Sequence, residues 1–195
     1  MTAFIAFLLV TIRSREFPPE SLSEYYLVAK SVSIIIAVLV TWVPESCMRF
    51  YQETTNKKTF YSTYGISLAF SCFVALAASA LLGLVSGFDS IYTFFPYITM
   101  LVLTQGVNDS ISAAFRMSGK AFHYSLSLVL SSCLNLIVFL VLPAKIGVGS
   151  IFIAVSISYL ASGIFGFFVL RIYKNFSIYS FDKYLLKQSL QYATP

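Results

Sequence analysis

The sequence predicts an all-α, polytopic membrane protein, folded as a bundle of transmembrane helices. Of its 195 residues, 58% are hydrophobic and only 11% are charged. A soluble domain carries about 25% charged residues, which keep its surface hydrated. Five apolar stretches also approach the ~20 residues that a helix needs to cross ~30 Å of hydrocarbon. The composition therefore excludes a soluble globular domain.

A short apolar stretch precedes the five full spans. Residues 3–12 are too few to cross a bilayer, and they lack the basic start and the small-residue cleavage site of a signal peptide. We interpret them as the second half of a helix whose first half is missing. The full spans are predicted at residues 25–43, 64–85, 91–115, 124–142 and 151–170.

Polar segments separate the predicted spans, at residues 13–24, 53–59, 86–90, 118–120 and 143–149. After residue 170 the chain becomes polar, and residues 181–192 have the apolar spacing of a helix that lies at the membrane interface. We therefore expect a six-helix transmembrane lobe over residues 1–175, with its first helix truncated. Residues 176–195 are expected to form a cytoplasmic interfacial helix that leads to a second lobe beyond this sequence.

Lysine and arginine set the predicted orientation, because basic loops resist translocation. One set of alternate loops holds nine of these residues: Arg49, Lys57, Lys58, Arg116, Lys120, Arg171, Lys174, Lys183 and Lys187. The opposite loops hold three, namely Arg13, Arg15 and Lys145. The first set is therefore predicted to be cytoplasmic. This asymmetry accounts for the net charge of +5 without a nucleic-acid partner.

The third full span carries a polar face. Gln105, Asn108, Asp109, Ser112 and Arg116 follow one another at helical spacing and therefore share one side of the helix. Polar groups at membrane depth are costly and usually face other helices or a water-filled cavity. We expect Gln105, Asn108 and Asp109 to line an aqueous cavity.

The first full span carries a longer polar stripe that includes Lys30, Glu45 and Arg49. Glu45 and Arg49 have the spacing of a favourable helical ion pair, and Pro44 is expected to bend the helix. Two readings of these three charges stay open. They either line the same cavity or pair with one another and extend to the membrane interface.

No metal, cofactor or catalytic site is predicted. His123 is the only histidine, and Cys47, Cys72 and Cys133 are widely separated, so neither a zinc site nor a disulfide is expected. The sequence also contains no phosphate-binding glycine loop, nucleophile elbow or HExxH motif. We therefore expect a protein that is not an enzyme.

Four short motifs resemble those of a known transporter family. They are the outer loop of residues 18–25, Met48-Arg49-Phe50-Tyr51, the basic turn of residues 115–120 and the polar stretch of residues 186–195. Together with helix number and orientation, they make the chain similar to the polysaccharide flippases, the Wzx-like O-antigen and capsule transporters of the multidrug/oligosaccharidyl-lipid/polysaccharide exporter superfamily. The resemblance covers nearly the whole chain. Tyr26 departs from it, since the family commonly has glycine there.

The resemblance implies the amino-terminal half of a two-lobe transporter in the bacterial inner (plasma) membrane. Such proteins move an undecaprenyl-pyrophosphate-linked oligosaccharide between leaflets by alternating access. The substrate phosphates would then be met by Lys30, Arg49 and Arg116. Asp109 and Glu45 would take protons or a coupling ion.

Three alternatives remain open from the sequence. A cation-coupled drug antiporter of the same superfamily would need a titrating carboxylate deep in the lobe, and Asp109 is the candidate. A membrane enzyme of polysaccharide assembly usually needs a large outer loop or a catalytic histidine at the membrane surface. The outer loops here are short and the lone His123 is predicted to be cytoplasmic, so the enzyme fits the sequence less well than a transporter does. The chain could also be a fragment or assembly subunit without transport activity.

Overall fold

The structure, a computed structural model, describes residues 2–86, 89–142 and 147–193. Within these ranges the chain is entirely helical, apart from connecting turns. The helices are α1 (Thr2–Glu16), α2 (Pro19–Leu39), α3 (Trp42–Phe50), α4 (Lys57–Ser86), α5 (Asp89–Met117), α6 (Ala121–Val141), α7 (Gly149–Val169), α8 (Ile172–Asn175) and α9 (Lys183–Ala193), with a 3₁₀ turn at Ile178–Ser180. The predicted connections at residues 86–90 and 143–149, including Lys145, lie partly outside the described residues.

Four segments of the described chain are long and apolar enough to cross a membrane: Pro19–Phe50, Lys57–Leu81, Ala121–Val141 and Gly149–Val169. A multi-pass membrane protein is the architecture that these lengths and compositions favour. They correspond to four of the five predicted spans. The fifth, α5, is long enough at 29 residues but is not among the four. Gln105, Asn108 and Asp109 lower its hydropathy, so its membrane crossing stays a prediction.

The first full span is interrupted rather than continuous. The backbone N–H groups of Val40 and Thr41 both donate to the carbonyl of Ile36, at 2.8 and 3.1 Å, and α3 begins at Trp42. Pro44 lies in the first turn of α3, where its missing N–H costs no helical hydrogen bond. The break therefore falls before the proline, at the turn of Val40 and Thr41 between α2 and α3.

The first connection is shorter than the sequence predicted. We expected a loop over residues 13–24, but α1 continues to Glu16 and α2 begins at Pro19. The N–H of Phe17 still donates to the carbonyl of Arg13 at 3.1 Å, while Pro18 adopts an extended backbone. Arg13 and Arg15 consequently lie in the last turn of α1 rather than in a loop.

The bundle is organised around α5, which packs most extensively on α7 and also contacts α2, α3, α4 and α6. The largest apolar core joins α1, α2, α4, α5, α6 and α7. It includes Ile98 and Val102 of α5 and Phe152 of α7, all almost fully buried. By the predicted orientation, this core fills the outer half and the middle of the bundle.

Two lysines of the predicted cytoplasmic loops donate hydrogen bonds to carbonyls at the carboxyl ends of helices. Lys57 Nζ donates to the carbonyls of Tyr51 and Thr54 just after α3, and Lys120 Nζ donates to the carbonyl of Val169, the last residue of α7, at 3.1 Å. The terminal carbonyls of a helix carry partial negative charge and lack intrahelical partners. These two lysines therefore stabilise the fold by capping helix ends.

The last helix is packed against the bundle. Leu185 and Ser189 of α9 are buried against α3 and α4, and Asp182 Oδ1 accepts the N–H groups of Tyr184 and Leu185 at 2.8 and 3.3 Å. An aspartate at this position satisfies the free donors of a helix start. α9 therefore begins at a defined cap and buries one face in the lobe.

Candidate functional site

The polar face of α5 contains one carboxylate with polar neighbours on its own helix. Asp109 is half-buried and interacts with the side chains of Asn108, Gln105 and Arg116. Gln105 and Asn108 are also half-buried, whereas Arg116 is exposed. Exposure on this face therefore increases toward the carboxyl end of α5, which the charge bias places in the cytoplasm.

The opposite half of α5 has a different surface. Along the same side of the helix, Ile98, Leu101 and Val102 are buried in the apolar core. The face thus changes from packed and apolar to polar and half-exposed between residues 102 and 105. A helix with one apolar and one polar half can pack tightly at one end of a bundle and expose polar side chains at the other end.

Tyrosines of neighbouring helices continue the polar contacts away from α5. Tyr159 of α7 interacts electrostatically with Asp109, and also with Tyr25 of α2. Tyr25 in turn interacts with Arg13 of α1. These four side chains lie on four different helices, and among the described residues no hydrogen bond joins one of them to another.

Arg13 is a buried charge that sequence reasoning places in a loop. Only 8% of its surface is exposed. Its Nη2 donates to Asn135 Oδ1 of α6 at 3.3 Å, and its guanidinium carbon lies 5.3 Å from the ring centroid of Phe139. The sequence contains a signal for this position, because Ile5, Leu9 and Arg13 recur every four residues and so share one side of a helix. In the structure Ile5 and Leu9 are both buried. Arg13 therefore continues the buried face of α1.

The charges of the first span are not gathered around Asp109. Lys30, Glu45 and Arg49 are all exposed. No contact within 4.0 Å joins Glu45 to Arg49 as the predicted ion pair. The Arg49 guanidinium instead lies 4.9 Å from the ring centroid of Tyr192 in α9. Of the seven predicted site residues, the structure brings together Gln105, Asn108, Asp109 and Arg116.

A separate apolar cavity of about 190 Å³ lies among α3, α4, α5, α7 and α8. Phe60, Tyr61 and Phe176 contribute aromatic walls, and Cys47 lines one side. Ser110 Oγ is buried at this cavity without a hydrogen-bond partner. The cavity is distinct from the polar face, since Gln105, Asn108 and Asp109 do not line it.

Comparison with known proteins identifies no relative. No protein-family model, curated protein or solved structure matches the chain. The functional argument therefore rests on the residues and their geometry.

Proposed function

We propose that the chain is the amino-terminal lobe of a transporter that moves a lipid-linked oligosaccharide across the bacterial cytoplasmic membrane. In this proposal α1, α2 with α3, α4, α5, α6 and α7 form the six helices of the lobe, and α9 leads toward a second lobe. The substrate is an undecaprenyl-pyrophosphate-linked oligosaccharide, and the mechanism is alternating access.

The observation that carries the proposal is the position of the Asp109 cluster. α5 is the most central long helix and carries its polar residues half-exposed on one face. In a purely structural bundle, the central helix is normally apolar on all sides, because unpaired polar groups at membrane depth are costly. Half-exposed polar groups on the central helix support a hydrated path, which a sugar needs to pass between leaflets.

The division of α5 supports alternating access. Its outer half is packed into the core through Ile98 and Val102, whereas its inner half bears Asp109 and exposed Arg116. This arrangement fits a lobe that is closed outside and open to the cytoplasm, where the substrate is made. Lys30, Arg49 and Arg116 are the exposed cations proposed to meet the phosphates.

The test uses the full-length protein expressed from its own gene in its own organism. Lys30→Gln and Arg116→Gln should each reduce surface polysaccharide and cause the lipid-linked oligosaccharide to accumulate. Lys58→Gln is the matched control, because Lys58 is an exposed cation in the first turn of α4, outside the polar face. Wild-type polymer in both site variants, at normal protein abundance, would contradict the proposal.

A cation-coupled drug antiporter of the same superfamily is the second candidate, favoured by Asp109 as the carboxylate within the cluster. That function requires Asp109 to bind and release a cation. Asp109→Asn should then abolish drug efflux, whereas Asp109→Glu should retain part of it. Efflux that is unchanged in Asp109→Asn, or after the ion gradient is collapsed, would exclude an antiporter.

A further inference from the structure

Arg13 is a buried cation whose contacts are all with uncharged groups. It touches the Asn135 amide oxygen and the Phe139 ring, and its nearest ionisable neighbours are Tyr25 and Tyr26. Among the described residues, no carboxylate lies within 4.0 Å of it. Its Nε–H is buried and has no hydrogen-bond partner.

This arrangement leaves a charge incompletely compensated. Removing a cation from water is expensive unless an opposite charge or several hydrogen bonds replace the lost hydration. One amide and one aromatic face supply only part of that replacement. The free Nε–H belongs to the planar donor fork with which arginine binds carboxylates and phosphates through two parallel hydrogen bonds.

The position of Arg13 indicates where an anion would bind. Arg13 lies in the last turn of α1, Tyr25 in the first half of α2 and Asn135 in the second half of α6. By the predicted orientation, all three positions lie in the outer halves of their helices. The site is therefore in the opposite half of the bundle from Arg116, and the buried ring of Phe139 packs against the guanidinium.

We propose that Arg13, oriented by Asn135 and Phe139, is a binding site for one oxyanion of the transported molecule in the outer half of the lobe. This inference rests on the proposed function, which supplies the molecule. The oxyanion belongs either to the pyrophosphate of the lipid carrier or to the carboxylate of an acidic sugar. Both present the pair of oxygens that a guanidinium fork accepts.

The experiment measures anion binding by isothermal titration calorimetry of the purified protein in a nonionic maltoside detergent. Sodium pyrophosphate and sodium glucuronate are titrated separately, at ionic strength matched with sodium chloride. Arg13→Gln is compared with Arg15→Gln, which removes an exposed arginine from the same helical turn. Arg13→Lys is the second variant, since it keeps the buried charge and the fold but loses the planar fork.

Binding should be equal in the wild type and in Arg15→Gln. It should be about tenfold or more weaker in Arg13→Gln and in Arg13→Lys, as expected for a lost charge-assisted pair of hydrogen bonds. Pyrophosphate as the responding anion would assign the site to the lipid carrier, and glucuronate would assign it to the sugar. Absence of binding by both anions, or equal binding in the wild type and in Arg13→Lys, overturns the site.

The binding readout does not require transport. If the Arg13 variants lose anion binding while Lys30→Gln and Arg116→Gln leave surface polysaccharide unchanged, the site stands and the flippase proposal fails. If the polysaccharide phenotype is present but the anions bind equally to all variants, the function stands and the Arg13 site fails.

Discussion

Gly166 of α7 lies so close to Ile111 of α5 that a methyl group on its Cα would stand 2.0 Å from Cγ2 of Ile111. One turn earlier, a methyl group on Gly163 would stand 3.0 Å from Cγ1 of Val107. Helices in a membrane associate without a hydrophobic driving force between them, so close packing of small residues supplies much of the stability. These two glycines permit the most extensive helix contact in the lobe.

We expect Gly166→Ala to destabilise the bundle, because the added methyl group would overlap the buried side chains of Ile111 and Phe115. Overpacking of this kind costs about 1–3 kcal/mol. The measurement is the melting temperature of the purified protein in detergent. Ile164→Phe is the control, since it adds volume on the exposed side of the same helix. Equal melting temperatures for Gly166→Ala and the wild type would contradict the close packing.

Adjacent lysines should have different effects on stability. Lys57 donates to two carbonyls after α3 and lies 3.7 Å from the ring centroid of Tyr51, whereas Lys58 is exposed. Lys57→Ala should lower the free energy of unfolding by about 1 kcal/mol, the value typical of a cation at a helix carboxyl end. Lys58→Ala should be close to neutral. Denaturant titration of both variants measures the difference, and equal losses would refute the capping role.

The contact between α9 and the bundle depends on buried hydroxyls. Tyr64 Oη lies 2.7 Å from Ser189 Oγ, and Ser46 Oγ donates to the carbonyl of Ser189 at 3.3 Å. Tyr64→Phe and Ser189→Ala each remove this buried hydrogen bond, at a cost of about 1 kcal/mol. The hydroxyl left behind keeps a second partner, the carbonyl of Leu185 for Ser189 and the carbonyl of Ser46 for Tyr64. We therefore expect α9 to be cleaved faster by trypsin after Lys183 in both variants.

The double variant provides the sharper test of this contact. Because Tyr64 and Ser189 bond to each other, their combined effect on stability should be smaller than the sum of the single effects. Tyr184→Phe is the control, since that hydroxyl is on the same helix and its side chain is 82% exposed. Strict additivity would show that the two hydroxyls act independently.

The predicted orientation can be tested with single cysteines in a protein whose Cys47, Cys72 and Cys133 are changed to serine. Glu20 and Tyr179 are both exposed and lie at opposite ends of the predicted topology. Glu20→Cys should react with a membrane-impermeant maleimide in intact spheroplasts. Tyr179→Cys should react only after the membrane is broken. The reverse labelling pattern would show that the predicted inside and outside are exchanged.

Local patterns in the sequence predicted the helices and the polar face of α5. The lengths of the apolar stretches correspond to four segments that can cross a membrane, because helix length and hydropathy are properties of the segment itself. Likewise, Gln105, Asn108 and Asp109 lie together because helical periodicity alone brings side chains three or four residues apart onto one side. The same reasoning is wrong at the end of α1, because Arg13 and Arg15 continue the helix where the sequence predicts a loop.

The order of residues alone predicts the helical class, four of the spans and the grouping of Gln105, Asn108 and Asp109 on one side of α5. The burial of Arg13 against Asn135, 122 residues further along the chain, depends on the tertiary fold. The tertiary fold also sets which glycines of α7 meet α5, and it places the break of the first span before Pro44. One cause underlies all three. Periodicity defines the faces of a helix, but packing between distant segments decides which neighbour each face meets.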